Sequence, residues 1–458
     1  MSSPSVAFEP ARPSAESEIE AQKPWPRPTY AWCVLAILLT AYAFAILDRT
    51  AISLLVDPIK QDLKISNSQI GLLQGAAFAL CYTTFGLPLG YLSDRWKRRP
   101  LLAIGIAVWS AATIACGLAR SFGMLFLARV GVGVGEASIT PAAGSLIADY
   151  FPPEQRPKAY SIWMMGGSLG NSLSPLFAAM AILLADHLHR TGAAWAVDMK
   201  TWQIAFFLVG APGLVVALVF WLVVAEPVRR QRMAASAQGF PLAPLWAALT
   251  AQRGAYATLI SAAVLNVTCI YASIGWMPTL FVRVHQWSPV KIGAAFSLVN
   301  IPVALCGALV AGWAMSWLAR RGRRDAPLTM VLGHACAILL CGTVACLSPW
   351  PTLTLALNAV TALTSTWSYA AAMTGLNQIT PNELRGQIAA IFTLCTGLFS
   401  MTVGSFAVGF LSDVVFRGPG GVAPSLACVF AVCAVGSIAV LLAGRHSYRR
   451  AERAAQTW

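Results

Sequence analysis

Charge is what this sequence has least of. Only 11% of its 458 residues are Asp, Glu, Lys or Arg, where a typical soluble domain carries about 25%. So few charges cannot clothe a surface facing water, which excludes a soluble enzyme and a disordered chain. Cysteine pairs are missing as well. Eleven cysteines are present, but none forms a CxxC pair and nearly all sit in apolar runs. They read as small packing hydrophobes, not as disulfides or metal ligands. There is no Walker A loop, no metal-ligand spacing and no nucleophile elbow. An ATP-driven pump and an intramembrane enzyme therefore have no support, and no catalytic residue, cofactor or metal site is assigned. Residues 1–30 are polar, rich in Pro, Ser and Glu, and no apolar stretch with a cleavage site follows them. They read as a disordered cytoplasmic tail and not as a signal peptide.

What the sequence has instead is apolar length. Hydrophobic residues make up 57% of it, and the mean hydropathy is +0.65. Runs at 31–56, 68–93, 100–119, 122–148, 157–184, 202–225, 255–281, 289–318, 326–346, 352–377, 386–413 and 424–444 are each long enough to cross about 30 Å of hydrocarbon. A lone segment in hydrocarbon must satisfy its backbone internally, so the runs are helices. The expected class is an all-α polytopic membrane protein with twelve spans.

The net charge of +14 does not point to nucleic acid. Lys and Arg occur in short clusters between apolar runs, with no continuous basic face. Counted by alternate segments, 22 of the 32 fall on the side of the chain's ends and 8 on the opposite side, with Arg49 and Arg129 inside spans. This asymmetry predicts that both termini are cytoplasmic.

The chain repeats itself at half its length. Pro152-Pro153-Glu154-Gln155-Arg156-Pro157 follows the fourth span, and Pro381-Asn382-Glu383-Leu384-Arg385-Gly386 follows the tenth. The loop from Gly90 through Ser93-Asp94-Arg95 to Arg99 has a degraded partner at Gly312–Ser316, followed by Arg320, Arg321, Arg323 and Arg324. Two six-span halves are expected. The predicted organisation is a tail at 1–30, bundles at 31–225 and 255–444, a cytoplasmic linker at 226–254 and a tail at 445–458. Asp94, Arg95, Arg98 and Arg99, with the repeated pairs Glu154/Arg156 and Glu383/Arg385, are candidate gate residues between the halves. Exposed ion pairs are worth about 0–1 kcal/mol each, which suits a gate that must open.

Four charges lie inside spans: Asp48, Arg49, Arg129 and Glu136. Each costs roughly 2.5–3.5 kcal/mol at a span's centre on insertion scales, so such groups are functional or paired. At about 1.5 Å per residue, Asp48 and Arg129 lie at similar depth and can pair, while Glu136 lies deeper with no partner at its own level. One reading is a proton relay in which a carboxylate gains or loses an Arg partner as a cavity opens. The other is a static network that locks helices together. Cavity candidates are Tyr42, Tyr82, Thr140, Trp163, Asn171, Asn266, Tyr271, Asn300, Trp367, Tyr369 and Asn377. His334, a lone His in the ninth span, reads as a packing residue.

The Gly90…Asp94-Arg95…Arg99 stretch resembles the signature between spans two and three of the major facilitator superfamily, with Ser316 in place of the acidic residue expected in the second copy. Together with Asp48-Arg49, the run Arg129-Val130-Gly131-Val132-Gly133-Val134-Gly135-Glu136-Ala137-Ser138 looks like the spinster branch of that superfamily. The resemblance implies alternating access by a monomer and export or redistribution of lysophospholipid or sphingoid amphiphiles, in several cases with proton coupling. It also implies that Asp48 and Glu136 are protonatable and that Arg49 and Arg129 modulate them. The organic-anion symporter branch shares the Asp-Arg pair and a Gly-Glu-Ala, and it implies small carboxylates as substrates. A receptor that does not transport would be expected to have lost the coupling residues, which are present here.

Overall fold

A computed structural model describes residues 24–192, 196, 198–229, 242–323 and 325–455. Most of the expected N-terminal tail and the middle of the expected linker lie outside these residues. Among the described residues, twelve helices have crossing length. They are α1 (Pro28–Leu54), α2 (Asn67–Arg95), α3 (Arg98–Gly117), α4 (Phe122–Tyr150), α5 (Arg156–Arg190), α6 (Thr201–Val223), α7 (Arg253–Arg283), α8 (Pro289–Arg320), α9 (Ala326–Leu347), α10 (Pro351–Gln378), α11 (Arg385–Val414) and α12 (Pro419–Ala455). All but α10 are also apolar enough to cross a membrane by composition. Helix α10 falls short because it is rich in Thr, Ser and Asn.

The observed ends match the expected spans to within a few residues, with two exceptions. Helix α5 runs six residues further, to Arg190, and α12 continues to Ala455, through the stretch expected to be a tail. A short helix, Leu242–Ala251, also lies within the expected linker. The extension of α12 has a partner. Asp325, just before α9, takes hydrogen bonds from Arg445 (2.8 Å) and Arg449 (2.9 Å), and these hold the end of α12 in place.

The packing shows the twofold design. Helix α1 packs on α5, α2 on α4, α3 on α4 and α3 on α6. Six helices later the same pairings return as α7 on α11, α8 on α10, α9 on α10 and α9 on α12. The two six-helix halves meet along α2 with α11 and along α5 with α8. Because the number of crossings is even, the start of α1 and the end of α12 lie on one side, called here the terminal side.

The halves are joined on the opposite side. Between lipid-facing helices there is no hydrophobic drive to associate, so small residues that let backbones approach do much of the work. On α2, a Cβ at Gly71 would lie 2.5 Å from the Ser405 carbonyl oxygen of α11, and one at Gly75 would lie 2.5 Å from that of Met401. The first turn of α2 is capped across the interface. Asp413 of α11 accepts from the backbone N–H of Asn67 (3.1 Å) and of Ser68 (2.7 Å), where an acidic group satisfies orphan helix donors. Arg283 at the end of α7 pairs with Asp57 at 2.6 Å and also reaches Asn67.

The terminal side is different. Further along α2, a Cβ at Gly86 would meet nothing within 4 Å, and the same holds for Gly386 at the start of α11. Packing of α2 on α11 is likewise concentrated in the first segment of α2 and thins along the second, so the two helices diverge toward the terminal side and the bundle opens there.

Two predictions follow from these contacts. Gly75→Leu is expected to destabilise the protein in detergent by about 1–3 kcal/mol, the usual cost of overpacking, whereas Gly86→Leu leaves the melting temperature unchanged. Equal shifts for both would contradict the contact asymmetry. The second concerns Asp325. Burial pushes its carboxyl up, but the Arg445 and Arg449 guanidiniums outweigh this and hold it below the usual carboxylate range. A depressed folded value stabilises at neutral pH and is lost as pH falls through it. Asp325→Asn is therefore expected to cost about 1 kcal/mol or less at pH 7, since both arginines are about half exposed. The gap between variant and parent should narrow as pH falls below the ordinary carboxylate range. A gap that stays constant however far the pH is lowered while the protein stays folded would count against the pairing.

Candidate functional site

The site begins with a change of helix in α1. Its α-helical part ends at Thr50, and residues Ala51–Leu54 tighten into a 3₁₀ turn. Such a change leaves backbone carbonyls without their usual partners. Arg129 of α4, fully buried, supplies them. Its guanidinium donates to the carbonyl oxygens of Asp48 (3.1 Å) and Arg49 (2.9 Å), and to that of Leu73 (3.4 Å) beside the break in α2. A cation at a helix C-terminus also complements the helix dipole.

This corrects the expected pairing. Arg129 binds the backbone of Asp48 and not its carboxylate. The carboxylate of Asp48 is wholly buried, and neither oxygen has a hydrogen-bond partner among the described residues. The Thr113 hydroxyl lies beside it without meeting hydrogen-bond geometry. Glu136, expected to lack a partner, has one. Arg49 Nη2 donates to Glu136 Oε2 at 2.5 Å, while Oε1 has no hydrogen-bond partner among the described residues. Glu136 is the last residue of the first segment of α4, just before that helix breaks at Ala137 and Ser138. The glycine run serves packing: Gly131 and Gly135 face α3, and Gly133 faces the Phe78 carbonyl of α2.

Arg49 is also held by aromatic faces. Its Cζ lies 4.1 Å from the centroid of Phe78 and 5.2 Å from that of Tyr82, within cation–π range. It is the one member of the four-charge set that is partly exposed, and it lines a cavity of about 300 Å³ between the halves. A second cavity of about 240 Å³ adjoins it, sharing Thr50, Ser53, Ser168, Asn171 and Ile274 as lining. Among the described residues, Arg49 is the only charged side chain that lines either cavity.

The aromatic and amide candidates divide. Tyr42, Asn171, Tyr271 and Asn300 line the cavities. Trp163 stacks behind Tyr42 at 5.1 Å, and Tyr82 holds Arg49 and lies 3.4 Å from the Thr140 hydroxyl. Neither Tyr82, Thr140 nor Trp163 lines the cavities. Asn266 is a core residue that donates to Val331 and Ser368. Trp367 packs in the second half's core, Tyr369 packs on Phe392, and Asn377 accepts from Arg385 near the terminal side. The sequence reading missed Gln74, Ser168, Asn358, Thr361 and Ser365, and it took His334, which lines the smaller cavity, for packing alone. A signal for three of the missed residues was present: Thr354, Asn358, Thr361 and Ser365 form a polar stripe at helical spacing.

The gate candidates lie within their own halves. Arg98 is buried, pairs with Asp149, and reaches Glu226 at 2.9 Å. The backbone N–H of Arg99 donates to Glu226, and its side chain to the Trp221 carbonyl. Arg95 covers Tyr91, and the Asp94 backbone carbonyl accepts from Arg229. Arg156 donates to the Phe151 carbonyl, and Arg385 to the carbonyls of Asn377 and Thr380. Glu154 is exposed, and the Glu383 side chain lies outside the described residues.

The pair geometry sets a measurable expectation. Removing one member of a buried ion pair leaves an unpaired charge and costs about 3–5 kcal/mol. Arg49→Met should therefore lower stability strongly, and adding Glu136→Gln should recover most of the loss. If the losses simply add, the two residues do not act as a pair.

A family model described as the Major Facilitator Superfamily matches residues 38–341. An MFS-type efflux pump of Mycolicibacterium smegmatis is 27% identical over 426 residues, covering 92% of this chain and 94% of that one. A galacturonate transporter of Dickeya chrysanthemi is 29% identical over 191 residues, covering 42% and 50%. Among solved structures, a bacterial homologue of the human lysosomal transporter Spinster, inward-facing and unoccupied, aligns with a TM-score of 0.74 at 25% identity, over 94% of this chain and 99% of that one. With its twelve helices in two matched halves, the chain is an integral membrane transport protein, not an enzyme, and it belongs to the major facilitator superfamily.

Proposed function

We propose that this chain is a proton-linked secondary transporter that works by alternating access and moves an organic substrate with an anionic head. The observation that carries the reading is the Arg49–Glu136 pair, which is buried on the Glu136 side and reaches the cavity on the Arg49 side. A proton on Glu136 removes the charge that holds Arg49. The guanidinium then becomes available to an anionic group in the cavity. Proton and anion are thereby loaded together, and each favours the other. Asp48, buried without a partner, is costly as an anion and is the second proton site. The charge asymmetry supports a cytoplasmic terminal side in a cell's inner membrane, so the structure is open to the cytoplasm. The cavity lies within one chain, which suits a monomer. The candidate gate residues would bridge the halves when the terminal side closes.

For the substrate we favour an amphiphile of lysolipid type, on the likeness to the Spinster homologue over nearly the whole chain. A second reading, a small organic acid, is favoured by one observation. Half of the residues lining the smaller cavity carry a hydroxyl or an amide, and a galacturonate transporter aligns with 42% of the chain at 29% identity.

Reconstitution in liposomes with a pH-sensitive dye tests both. Lysophosphatidylglycerol, sphingosine and galacturonate are added in turn. Proton movement triggered by a lysolipid and reduced at least tenfold in Glu136→Gln supports the first reading, and movement with galacturonate alone supports the second. Since Gln is neutral and leaves Arg49 available, the variant should still bind the active substrate, with affinity that depends less on pH, the remainder belonging to Asp48. Silence with all three, or flux unchanged in Glu136→Gln and Asp48→Asn, overturns the proposal.

A further inference from the structure

We infer that the cavity wall contributed by the second half, centred on His334 and Asn358, is a hydrogen-bonding subsite for an uncharged, hydroxyl-bearing segment of the substrate. The inference rests on the transport reading above and adds what that reading leaves open, the part of the substrate that does not touch Arg49.

His334 of α9 is 1% exposed and lines the smaller cavity. Its Nδ1 lies 2.9 Å from the Thr364 hydroxyl. That hydroxyl also lies 3.1 Å from two carbonyls of its own helix, those of Val360 and Thr361. If its proton goes to a carbonyl, Nδ1 donates to it and Nε2 is an acceptor; if it goes to Nδ1, Nε2 carries the N–H. In either tautomer Nε2 has no hydrogen-bond partner among the described residues. A buried polar nitrogen without a partner is costly, and a ligand hydroxyl, which both donates and accepts, removes that cost.

Along α10, Ser365 donates to the Ala362 carbonyl at 2.7 Å, Thr366 to Leu363 at 2.9 Å and Thr361 to Asn358 at 2.8 Å. Their protons are used within the helix, so they offer lone pairs to the cavity. Asn358 accepts from Ser273 at 3.2 Å through its carbonyl oxygen, which leaves its NH₂ donors for a ligand. The wall is thus rich in acceptors, with an amide donor among them.

Charge then selects the ligand class. No carboxylate lines this cavity among the described residues, so a cationic amine would find no counter-charge. A bare carboxylate could use the amide donors but would leave the acceptors unsatisfied. A hydroxyl both donates and accepts, and several in a row satisfy Nε2, the Ser and Thr oxygens and the Asn358 amide together. Two sources share this chemistry, the hydroxyls of a sugar acid and the free glycerol of a lysolipid head. Either would put its anionic group toward Arg49, because the two cavities adjoin.

The test is equilibrium binding to the purified full chain, with probes in matched pairs. Galacturonate is compared with cyclohexanecarboxylate, a ring acid without hydroxyls. Lysophosphatidylglycerol is compared with lysophosphatidic acid, which lacks the head glycerol. The hydroxyl-bearing member of one pair should bind about tenfold tighter or more, and the pair that shows it identifies the source. In His334→Phe the ratio should fall close to one while the affinity of the plain member changes less than about twofold. His334→Gln, which restores a donor and an acceptor, should keep most of the preference. Asn358→Leu provides the same reading if His334→Phe does not fold. No preference in either pair, or a preference that survives both His334→Phe and Asn358→Leu, overturns the inference. Because no proton movement enters this measurement, a preference found without flux would sink only the proton-linked reading, and flux with no preference would sink only the subsite.

Discussion

The rest of the site depends on where Arg129 puts its guanidinium. Placing a buried cation on the carbonyls of Asp48 and Arg49 does two things at once. It satisfies the backbone where α1 changes from α to 3₁₀ geometry, which bare hydrocarbon could not do. It also fixes the direction in which residues 48 and 49 leave that helix. Arg49 consequently points across to Glu136 and the cavity, while Asp48 points into the first half, beside Thr113. Two adjacent charges in sequence thus receive different surroundings, one exchangeable and one enclosed. The fourth charge is what makes the other three distinct.

That arrangement sits inside an interface built to be unequal at its two ends. On the opposite side, backbone meets backbone through Gly71 and Gly75, and a carboxylate from one half caps a helix of the other. Around these contacts one continuous apolar cluster runs through both halves, with Ile70 and Leu73 from the first and Trp276, Leu280 and Val408 from the second. On the terminal side, buried ion pairs such as Arg98 with Asp149 lie inside one half. The halves are thus tied together on the opposite side, while the terminal-side ion pairs leave them free of one another. A joint closed at one end and unpaired at the other is the arrangement that rocking about a central site requires.

Much of this was legible in the sequence. Span lengths, the half-length repeat and the four intramembrane charges came from hydropathy and spacing, because a membrane imposes a fixed length and penalises every charge. The partners of those charges did not. Depth arithmetic treats each helix as a straight rod and each charge as a point at its Cα. Arg129 binds carbonyls that exist as partners only because α1 changes its winding, and Arg49 reaches Glu136 across a difference in depth that a long side chain can span. Asn266 shows the reverse error. It looked like a cavity residue but is a core amide that donates to Val331 and Ser368.

The polarity of α10 ties these observations together. A helix that falls below the apolar level of its eleven companions loses insertion energy with every Thr, Ser and Asn it carries. Part of that loss is recovered when hydroxyl protons bond to the helix's own carbonyls, as at Thr361, Ser365 and Thr366. Such bonding leaves each oxygen with acceptor capacity still facing outward. If these residues served only to pack α10, Ala or Val would do so at lower cost in hydrocarbon. Their placement along the wall that holds His334 gives the polar face a direction, toward the space between the halves and away from lipid. The first half thus brings the exchangeable charge to the cavity, and the second brings neutral hydrogen-bonding groups. A substrate that bridges them touches both halves at once, which is the condition for its binding to bias the joint between them.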